Sequence, residues 1–326
     1  MAMELDVMIR SSAHFGYLTS HNRGVRIRAM AKLQSNGLEL EYDTFGDRAA
    51  RPVLLIMGLG TQMIAWDEEF CEGLVDRGHY VIRFDNRDIG LSSKLDEHPP
   101  PSLLEMMPKI MAGEAVEVPY YLSDMADDAI GVLDALEIDS AHVVGASMGG
   151  MIAQCVALQA RERVRSLTSI MSTTGRRDLP PAKPEAMLRL MTPPPSDREA
   201  LIEHRLVTQR VIGSPAFPFD EARARERAVR AIDRSSHLAG SVRQTAAIAA
   251  SPPRDADLRT LDLPTLVIHG DADPLVPMEA GLDTHACIAN SKMMLIEGMG
   301  HDLPKDVWPQ IIEGITKLTG QESSRG

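Results

Sequence analysis

The chain has 326 residues, of which 44% are hydrophobic and 25% are charged. This composition excludes a disordered or fibrous protein, and the length fits one large domain with an insertion or two average domains. The formal net charge of −12 argues against a nucleic-acid-binding surface, and no apolar run reaches the roughly 18 residues of a membrane span. The three cysteines are far apart and show no metal-binding spacing, which is typical of a reducing compartment, so we expect a cytoplasmic protein.

The pattern of the chain changes near Met30. Residues 1–29 show no regular period and no apolar segment of a signal peptide, and we predict an N-terminal extension there, either flexible or upstream of a natural start at Met30. Apolar and polar residues then alternate over Met30–Gln34 and Leu38–Phe45, on either side of an Asn-Gly pair that predicts a hairpin. The apolar run Val53–Met57 predicts a strand buried on both faces.

The next part of the chain is predicted to alternate helices and strands. Three segments have the patterns of a helix, a buried strand and a second helix: Trp66–Gly78, Tyr80–Phe84 and Ser123–Leu136. Between them, Leu103–Met111 contains methionines that either line an apolar entrance or belong to a short helix packed on the surface. The first alternative makes Met107 and Met111 candidate substrate-binding residues.

The stretch Ala141–Ala160 has the order strand, turn and helix. A short apolar run leads into a Gly-x-Ser-x-Gly pentapeptide centred on Ser147, and a run rich in Ala and Met follows. Glycines at both ends of the pentapeptide allow a sharp turn that pushes the serine hydroxyl out above the sheet edge. A glycine-rich loop with a solvated serine is the alternative, but the flanking strand and helix favour a nucleophile.

Residues 175–255 differ in composition from the rest of the chain. They contain several proline clusters and 14 Lys plus Arg against 10 Asp plus Glu, so they are positive in an acidic chain. We interpret them as a helical cap inserted between two parts of one core domain, residues 30–174 and 256–326. The positive charge of the cap either attracts an anionic substrate or belongs to solvated helix faces.

Strand and helix patterns alternate again after the cap. The predicted elements are a strand, a helix, a strand and a final helix, over Thr265–His269, Met278–Ile288, Lys292–Ile296 and Val307–Leu318. Strands that alternate with helices along a chain are typical of a mostly parallel sheet with helices on both faces. The sequence therefore predicts an α/β fold.

A serine nucleophile needs a neighbouring base, and the base needs a carboxylate that fixes its tautomer. His301 follows a predicted strand in a glycine-containing loop, from which a side chain can reach over the sheet edge. Asp273 follows another strand and precedes a proline that restricts its backbone, which favours it over Asp271, a turn former. His269 is also expected to form a turn. The candidate catalytic residues are therefore Ser147, Asp273 and His301.

The chain from near Met30 to its C-terminus resembles the α/β-hydrolase fold family, in which nucleophile, acid and base follow one another in this order. The matching motifs are Gly-Ala-Ser-Met-Gly around Ser147, His-Gly-Asp-Ala-Asp-Pro-Leu-Val-Pro before residue 278, and the Gly-His pair at residues 300 and 301. The segment Asp85–Ser92 resembles the family's Asp-x-Arg-Gly-x-Gly-x-Ser turn, with Asp88 in place of a glycine.

The resemblance implies an oxyanion hole formed by the backbone N–H groups of Leu59 and Met148, with Gly58 and Gly60 close to the substrate. The sequence has a Met-Gly pair where the family commonly has His-Gly, which removes one possible side-chain contact. The run Ile-Met-Gly-Leu-Gly with a following Trp66 is similar to esterases of the aclacinomycin methylesterase type.

The family resemblance implies hydrolysis of a carboxylic ester through an acyl-enzyme, with no metal or organic cofactor. The expected partner is a small-molecule ester with an apolar group. Serine rather than aspartate at position 147 argues against dehalogenase or epoxide hydrolase chemistry. Lactone hydrolysis and carbon–carbon bond cleavage by the same triad remain alternatives, as does a non-catalytic ligand-binding protein of the same fold. The sequence leaves the oligomeric state open.

Overall fold

An eight-stranded sheet organises the part of the chain that the structure describes. The structure is a computed structural model that describes residues 31–320, so the extension predicted over residues 1–29 lies outside the described residues. The strands are β1 (Ala31–Ser35), β2 (Leu38–Phe45), β3 (Arg51–Ile56), β4 (His79–Phe84), β5 (Ala141–Ala146), β6 (Val164–Ile170), β7 (Thr265–Gly270) and β8 (Lys292–Ile296).

The order of the strands in the sheet is β1-β2-β4-β3-β5-β6-β7-β8. β2 runs antiparallel to both of its neighbours, and all the other pairs of neighbouring strands are parallel. The predicted hairpin joins β1 and β2 through Asn36 and Gly37, whose φ angles of 48° and 76° suit a type I′ turn. The predicted fold class, a mostly parallel α/β sheet, is confirmed.

The described residues form eleven α-helices. They are α1 (Glu68–Val75), α2 (Leu103–Met111), α3 (Leu122–Ala135), α4 (Met148–Gln159), α5 (Pro184–Met191), α6 (Arg198–Ile212), α7 (Glu221–Arg234), α8 (Leu238–Ala250), α9 (Asp255–Leu258), α10 (Met278–Cys287) and α11 (Trp308–Thr319). Helix α1 begins later than the predicted Trp66, because the side chain of Asp67 accepts a hydrogen bond from the Glu69 N–H and caps the helix.

The two faces of the sheet are covered by different helices. Alternate residues of β3 point to opposite sides: Leu54 and Ile56 pack with α3 and α4, whereas Val53 and Leu55 pack with α1 and α11. All four of these side chains are completely buried. The apolar run Val53–Met57 predicted a strand buried on both faces. Helices packed on both sides of β3 explain why this run has no polar residue.

Five helices, α5 to α9, lie between β6 and β7, and we call the first four of them, α5 to α8, the insertion. Helices α6 and α7 are each capped by an aspartate and pack against each other through small and branched side chains: Ile202, Leu206, Ala224 and Ala228. A helical insertion was predicted here. Its predicted limits, residues 175 and 255, stay predictions.

Many arginines of the insertion are paired with carboxylates. Arg198 binds Asp233 at 2.7 Å on the outer surface, where both side chains are 53% exposed. Arg234 and Arg223 instead reach the core domain, with Arg234 bound to Asp85 at 2.6 Å. The positive charge of this segment is thus balanced to a large extent by carboxylates of the same chain.

Between residues 31 and 320, no helix has the length and apolar character needed to cross a membrane. The cysteines Cys71, Cys155 and Cys287 are buried, unpaired and located in helices. Burial raises the pKa of the Cys71 thiol to about 12. These cysteines therefore behave as small hydrophobic residues.

Asp88 links the insertion to the core through hydrogen bonds. It lies at the position where the corresponding turn of the α/β-hydrolase fold family has a glycine. It has a φ of 72° and accepts hydrogen bonds from Arg243 Nε and Nη2 at 2.8 and 2.7 Å. It also accepts from the Tyr120 hydroxyl at 2.7 Å and the Leu95 N–H at 2.9 Å. Burial favours the neutral acid, but Arg243 and the other donors outweigh it and lower the pKa of Asp88.

We expect Arg243→Met to lower the free energy of unfolding by about 3–5 kcal/mol, because the Asp88 carboxylate would stay buried without its cation. The side chains of Arg243 and Asp88 are 1% and 0% exposed. The matched control is Arg198→Met, which breaks an exposed pair and should cost less than about 1 kcal/mol. Urea denaturation of both variants measures the difference, and equal losses would contradict the expectation.

Candidate active site

The turn after β5 places Ser147 above the edge of the sheet. Ser147 is half-buried, with φ 56° and ψ −122°, a backbone conformation that non-glycine residues rarely adopt. Its N–H donates to the Ile170 carbonyl at 2.9 Å, and its carbonyl accepts from Ser172 Oγ at 2.8 Å. The strained turn is thus held by hydrogen bonds from the neighbouring strand and loop.

The two glycines of the pentapeptide are required by close backbone approaches. A Cβ on Gly145 would overlap the carbonyl of Gly149, and a Cβ on Gly149 would overlap the carbonyl of Ile56. Both clashes are with backbone atoms, which cannot rotate away. This explains why the strand-turn-helix segment has glycine at both positions.

We therefore expect Gly145→Ala to destabilise the fold by at least about 2 kcal/mol and to abolish any activity of Ser147. The control is Gly320→Ala at the end of α11, where the nearest atom to an added Cβ is 3.3 Å away and the residue is exposed. Thermal unfolding of the two variants compares them. A Gly145→Ala protein as stable as the control would mean that the turn can relax.

Ser147, His301 and Asp273 come together where β5, β7 and β8 end. His301 Nε2 lies 2.9 Å from Ser147 Oγ, and His301 Nδ1 lies 2.7 Å from Asp273 Oδ2. The second oxygen of Asp273 accepts from the N–H groups of Leu275 and Val276, both at 2.9 Å. All three predicted residues are thus in one hydrogen-bonded chain.

This arrangement favours one tautomer of His301. Because Asp273 accepts at Nδ1, the ring proton lies there and leaves the lone pair of Nε2 facing the Ser147 hydroxyl. The side chains of His301 and Asp273 are 7% and 0% exposed, so water competes little for these bonds. The geometry allows His301 to take a proton from Ser147 and Asp273 to stabilise the resulting cation.

Asp271 and His269 have other partners than the sequence suggested. Asp271 Oδ1 accepts from the Gly298 N–H at 2.6 Å, whereas Asp273 binds His301. The prediction that His269 forms a turn is wrong, since it lies inside β7 and is completely buried. Its Nε2 donates to the Val276 carbonyl at 2.8 Å, and burial lowers its pKa and keeps it neutral. His269 thus supports the loop that carries Asp273.

The insertion forms hydrogen bonds with the loop that carries His301. The N–H of His301 donates to the Ile212 carbonyl at 2.7 Å, and the Gly300 N–H donates to Ser214 Oγ at 2.8 Å. Ser214 in turn donates to Asp302, a carboxyl whose pKa is raised by burial. Sequence reasoning missed Ser214 and Ile212, because nothing in their local pattern indicates a partner some ninety residues away.

The candidate oxyanion donors lie on either side of Ser147. Met148 is the first residue of α4, so its N–H has no partner within the helix. Gly58 lies so near that an added Cβ would be 3.1 Å from Ser147 Cβ and 3.6 Å from Oγ. Leu59 follows in a turn closed by a 3.2 Å bond from the Thr61 N–H to the Gly58 carbonyl. The roles of Leu59 and Met148 stay predictions.

Helix α2 has two different sides. Met106 and Ile110 are buried and pack against Ala246 of α8, whereas Met107 and Met111 are 42% and 81% exposed. The segment is therefore a helix packed on the insertion. The predicted contact of Met107 and Met111 with substrate stays a prediction.

A mostly parallel sheet with a Ser–His–Asp chain at the carboxyl ends of its strands defines the α/β-hydrolase class. Residues 51–306 match the model of the alpha/beta hydrolase fold family, and the chain belongs to this family. The predicted resemblance to the α/β-hydrolase fold family is thereby confirmed.

Two relatives illustrate the range of the family. The rhodomycin D methylesterase DauP of Streptomyces sp. is 30% identical over 296 residues, which cover 84% of this chain and 92% of that enzyme. A 2-hydroxy-6-oxononadienedioate/2-hydroxy-6-oxononatrienedioate hydrolase of Paraburkholderia xenovorans is 30% identical over 272 residues, 81% of this chain and 84% of that enzyme. Among solved structures, the meta-cleavage product hydrolase CumD of Pseudomonas fluorescens superimposes with a TM-score of 0.70 at 22% identity, over 90% of this chain and 98% of that one.

Proposed function

We propose that the protein is a serine hydrolase that cleaves carboxylic esters through an acyl-enzyme intermediate. The observation that carries the proposal is the hydrogen-bonded chain in which His301 lies 2.9 Å from Ser147 Oγ and 2.7 Å from Asp273. A nucleophile, a base and an orienting carboxylate at these distances are the parts that acyl transfer requires. The likeness to a methylesterase over most of both chains supports the same class of bond.

In the acylation half, Ser147 Oγ attacks the ester carbonyl carbon while His301 Nε2 takes the hydroxyl proton. The carbonyl π electrons move to oxygen, and the oxyanion accepts hydrogen bonds from the Leu59 and Met148 N–H groups. Each such donor contributes a factor of about 10²–10³ in rate. The tetrahedral intermediate then expels the alcohol, to which His301 gives its proton, and the acyl group stays on Ser147.

In the deacylation half, His301 Nε2 takes a proton from a water molecule that attacks the acyl carbon. A second tetrahedral intermediate forms at the same oxyanion site. Its collapse breaks the bond to Ser147 Oγ, which regains a proton from His301, and the carboxylic acid leaves. Asp273 keeps the proton on Nδ1 throughout and stabilises the imidazolium in both halves. Every step uses groups of this chain and water.

Carbon–carbon bond hydrolysis is the second candidate. It is supported by the relative from Paraburkholderia xenovorans, whose identity to this chain equals that of the methylesterase. Ester cleavage is favoured because the match to the methylesterase covers more of this chain, 84% against 81%. Lactone hydrolysis by the same groups is a further outcome of the test.

The test is an assay of the purified protein on p-nitrophenyl esters of increasing acyl length, beside lactones and diketones. Hydrolysis of esters, with a chain-length preference that sizes the pocket, is the expected result. Turnover confined to diketones or lactones would replace the proposal with one of the alternatives. Tight binding of these compounds without any acid product would favour a non-catalytic protein.

A further inference from the structure

Gln244 is a completely buried side chain of the insertion whose amide has partners at both ends. Its Oε1 accepts from the Gly60 N–H at 2.9 Å, and its Nε2 donates to the Arg87 carbonyl at 2.9 Å. Burial of an amide without hydrogen-bond partners costs free energy, and here both the oxygen and the nitrogen of the amide have a partner. The amide connects helix α8 with two separate loops of the core.

The loop that Gln244 binds is the one that carries Leu59. The N–H of Leu59 belongs to the peptide group whose carbonyl, on Gly58, accepts from the Thr61 N–H at 3.2 Å. In the next peptide group, the Leu59 carbonyl accepts from Thr61 Oγ1 at 3.0 Å and the Gly60 N–H donates to Gln244. Thr61 thus binds two carbonyls within the turn, and Gln244 binds the Gly60 N–H from helix α8.

The position of Gln244 is itself fixed by its neighbours. Arg243, the preceding residue, is held by the Asp88 carboxylate through two hydrogen bonds. Ser241, one turn earlier, lies so close to the loop that a Cβ on Gly60 would be 3.0 Å from its Oγ. Gly60 has a φ of 64°, and a side chain there would be both strained and crowded. Helix α8 is therefore packed directly on the turn formed by residues 58–61, which carries Leu59.

We infer that Gln244 is a positioning residue of the oxyanion hole, an inference that rests on the proposed ester hydrolysis. It acts through the Gly60 N–H to hold the turn, so that the Leu59 N–H points to the place where the oxyanion develops. Preorganised donors lower a barrier only while their direction is fixed, and a displacement of about 1 Å can cost about 10²-fold in rate.

The test is Gln244→Met, which keeps the length of the side chain and removes its amide. We expect kcat to fall by about 10- to 100-fold while KM stays within about threefold, because the donor matters most in the transition state. A pair of inhibitors sharpens the readout. A trifluoromethyl ketone adds to Ser147 and forms an alkoxide, so its affinity should fall with kcat, whereas the matching methyl ketone should bind within about twofold of the wild type.

Two further variants guard the interpretation. Thr245→Val lies at the next position of α8 and removes one hydrogen bond, from Thr245 Oγ1 to the Ser241 carbonyl at 2.9 Å, so it should leave both kcat and inhibitor affinities unchanged. Gln244→Asn keeps a buried amide but withdraws it from Gly60 by about 1.5 Å, one carbon–carbon bond. It should show the same selective loss, and it carries the test if the methionine variant does not fold.

A kcat within about twofold of wild type, or equal losses of affinity for the two ketones, overturns the inference. Failure of the proposed function looks different. In that case the wild-type chain turns over no ester, and Ser147→Ala binds the trifluoromethyl ketone as well as the wild type does. Wild-type turnover together with an unaffected Gln244→Met would sink the role of Gln244 alone.

Discussion

Replacing Ser147 by alanine is expected to lower kcat for the best ester of the panel by about 10⁶-fold. The variant lacks the hydroxyl that forms the acyl-enzyme in the proposed mechanism, and its β-carbon fits the same turn because the backbone is held by Ile170 and Ser172. Binding of the methyl ketone and the thermal unfolding temperature should match the wild type. The loss is then purely chemical.

The control for this variant is Ser123→Ala, an exposed serine of α3 that should retain full activity. A fluorophosphonate probe, which reacts with activated serines, should label the wild type and the control but not Ser147→Ala. Ester turnover that survives in the alanine variant would show that another group is the nucleophile, and the mechanism above would be wrong.

The second large effect is expected for Asp273→Asn, which should lower kcat by about 10⁴-fold. The amide that replaces the carboxylate donates to His301 Nδ1 and drives the ring proton to Nε2. His301 then has no lone pair for the Ser147 proton, although the geometry of the site is almost unchanged. Steady-state kinetics on the same ester, with a crystal structure of the variant, measures both parts of this expectation.

Asp271→Asn is the matched control, because it makes the same change two residues earlier. Asp271 accepts from the Gly298 N–H and not from His301, so we expect a loss below about tenfold. The comparison decides between the two carboxylates of this loop. A larger loss for Asp271→Asn than for Asp273→Asn would reverse the assignment.

The sequence predicted those parts of the fold whose causes are local. The apolar run of β8 gave Lys292–Ile296 with its observed limits, and the spacing of glycines around Ser147 gave the strand-turn-helix segment. In both, neighbouring residues determine the backbone conformation, through apolar patterning in one and steric clearance in the other. The positions of Ser147, Asp273 and His301, each in a turn or loop directly after a predicted strand, led to the same three residues that the structure brings together.

The sequence could not predict contacts between distant elements. Gln244 and Ser214 have ordinary helical or loop surroundings, and their partners are 184 and 86 residues away at Gly60 and Gly300. Asp88 gave a partial signal, since it replaced an expected glycine, but its partner Arg243 became evident only with the fold. The prediction of a turn at His269 was wrong. A histidine directly before a glycine suggested a turn, whereas strand β7 continues through both residues.

Two of the contacts between the insertion and the core have a consequence for engineering. The Ile212 carbonyl at the end of α6 accepts from the His301 N–H, and the Gln244 side chain of α8 accepts from the Gly60 N–H. A chimera that receives the insertion of another family member would exchange these contacts together with the rest of the segment. Grafts intended to alter substrate scope would therefore also alter turnover, unless the donor segment carries equivalents of both anchors.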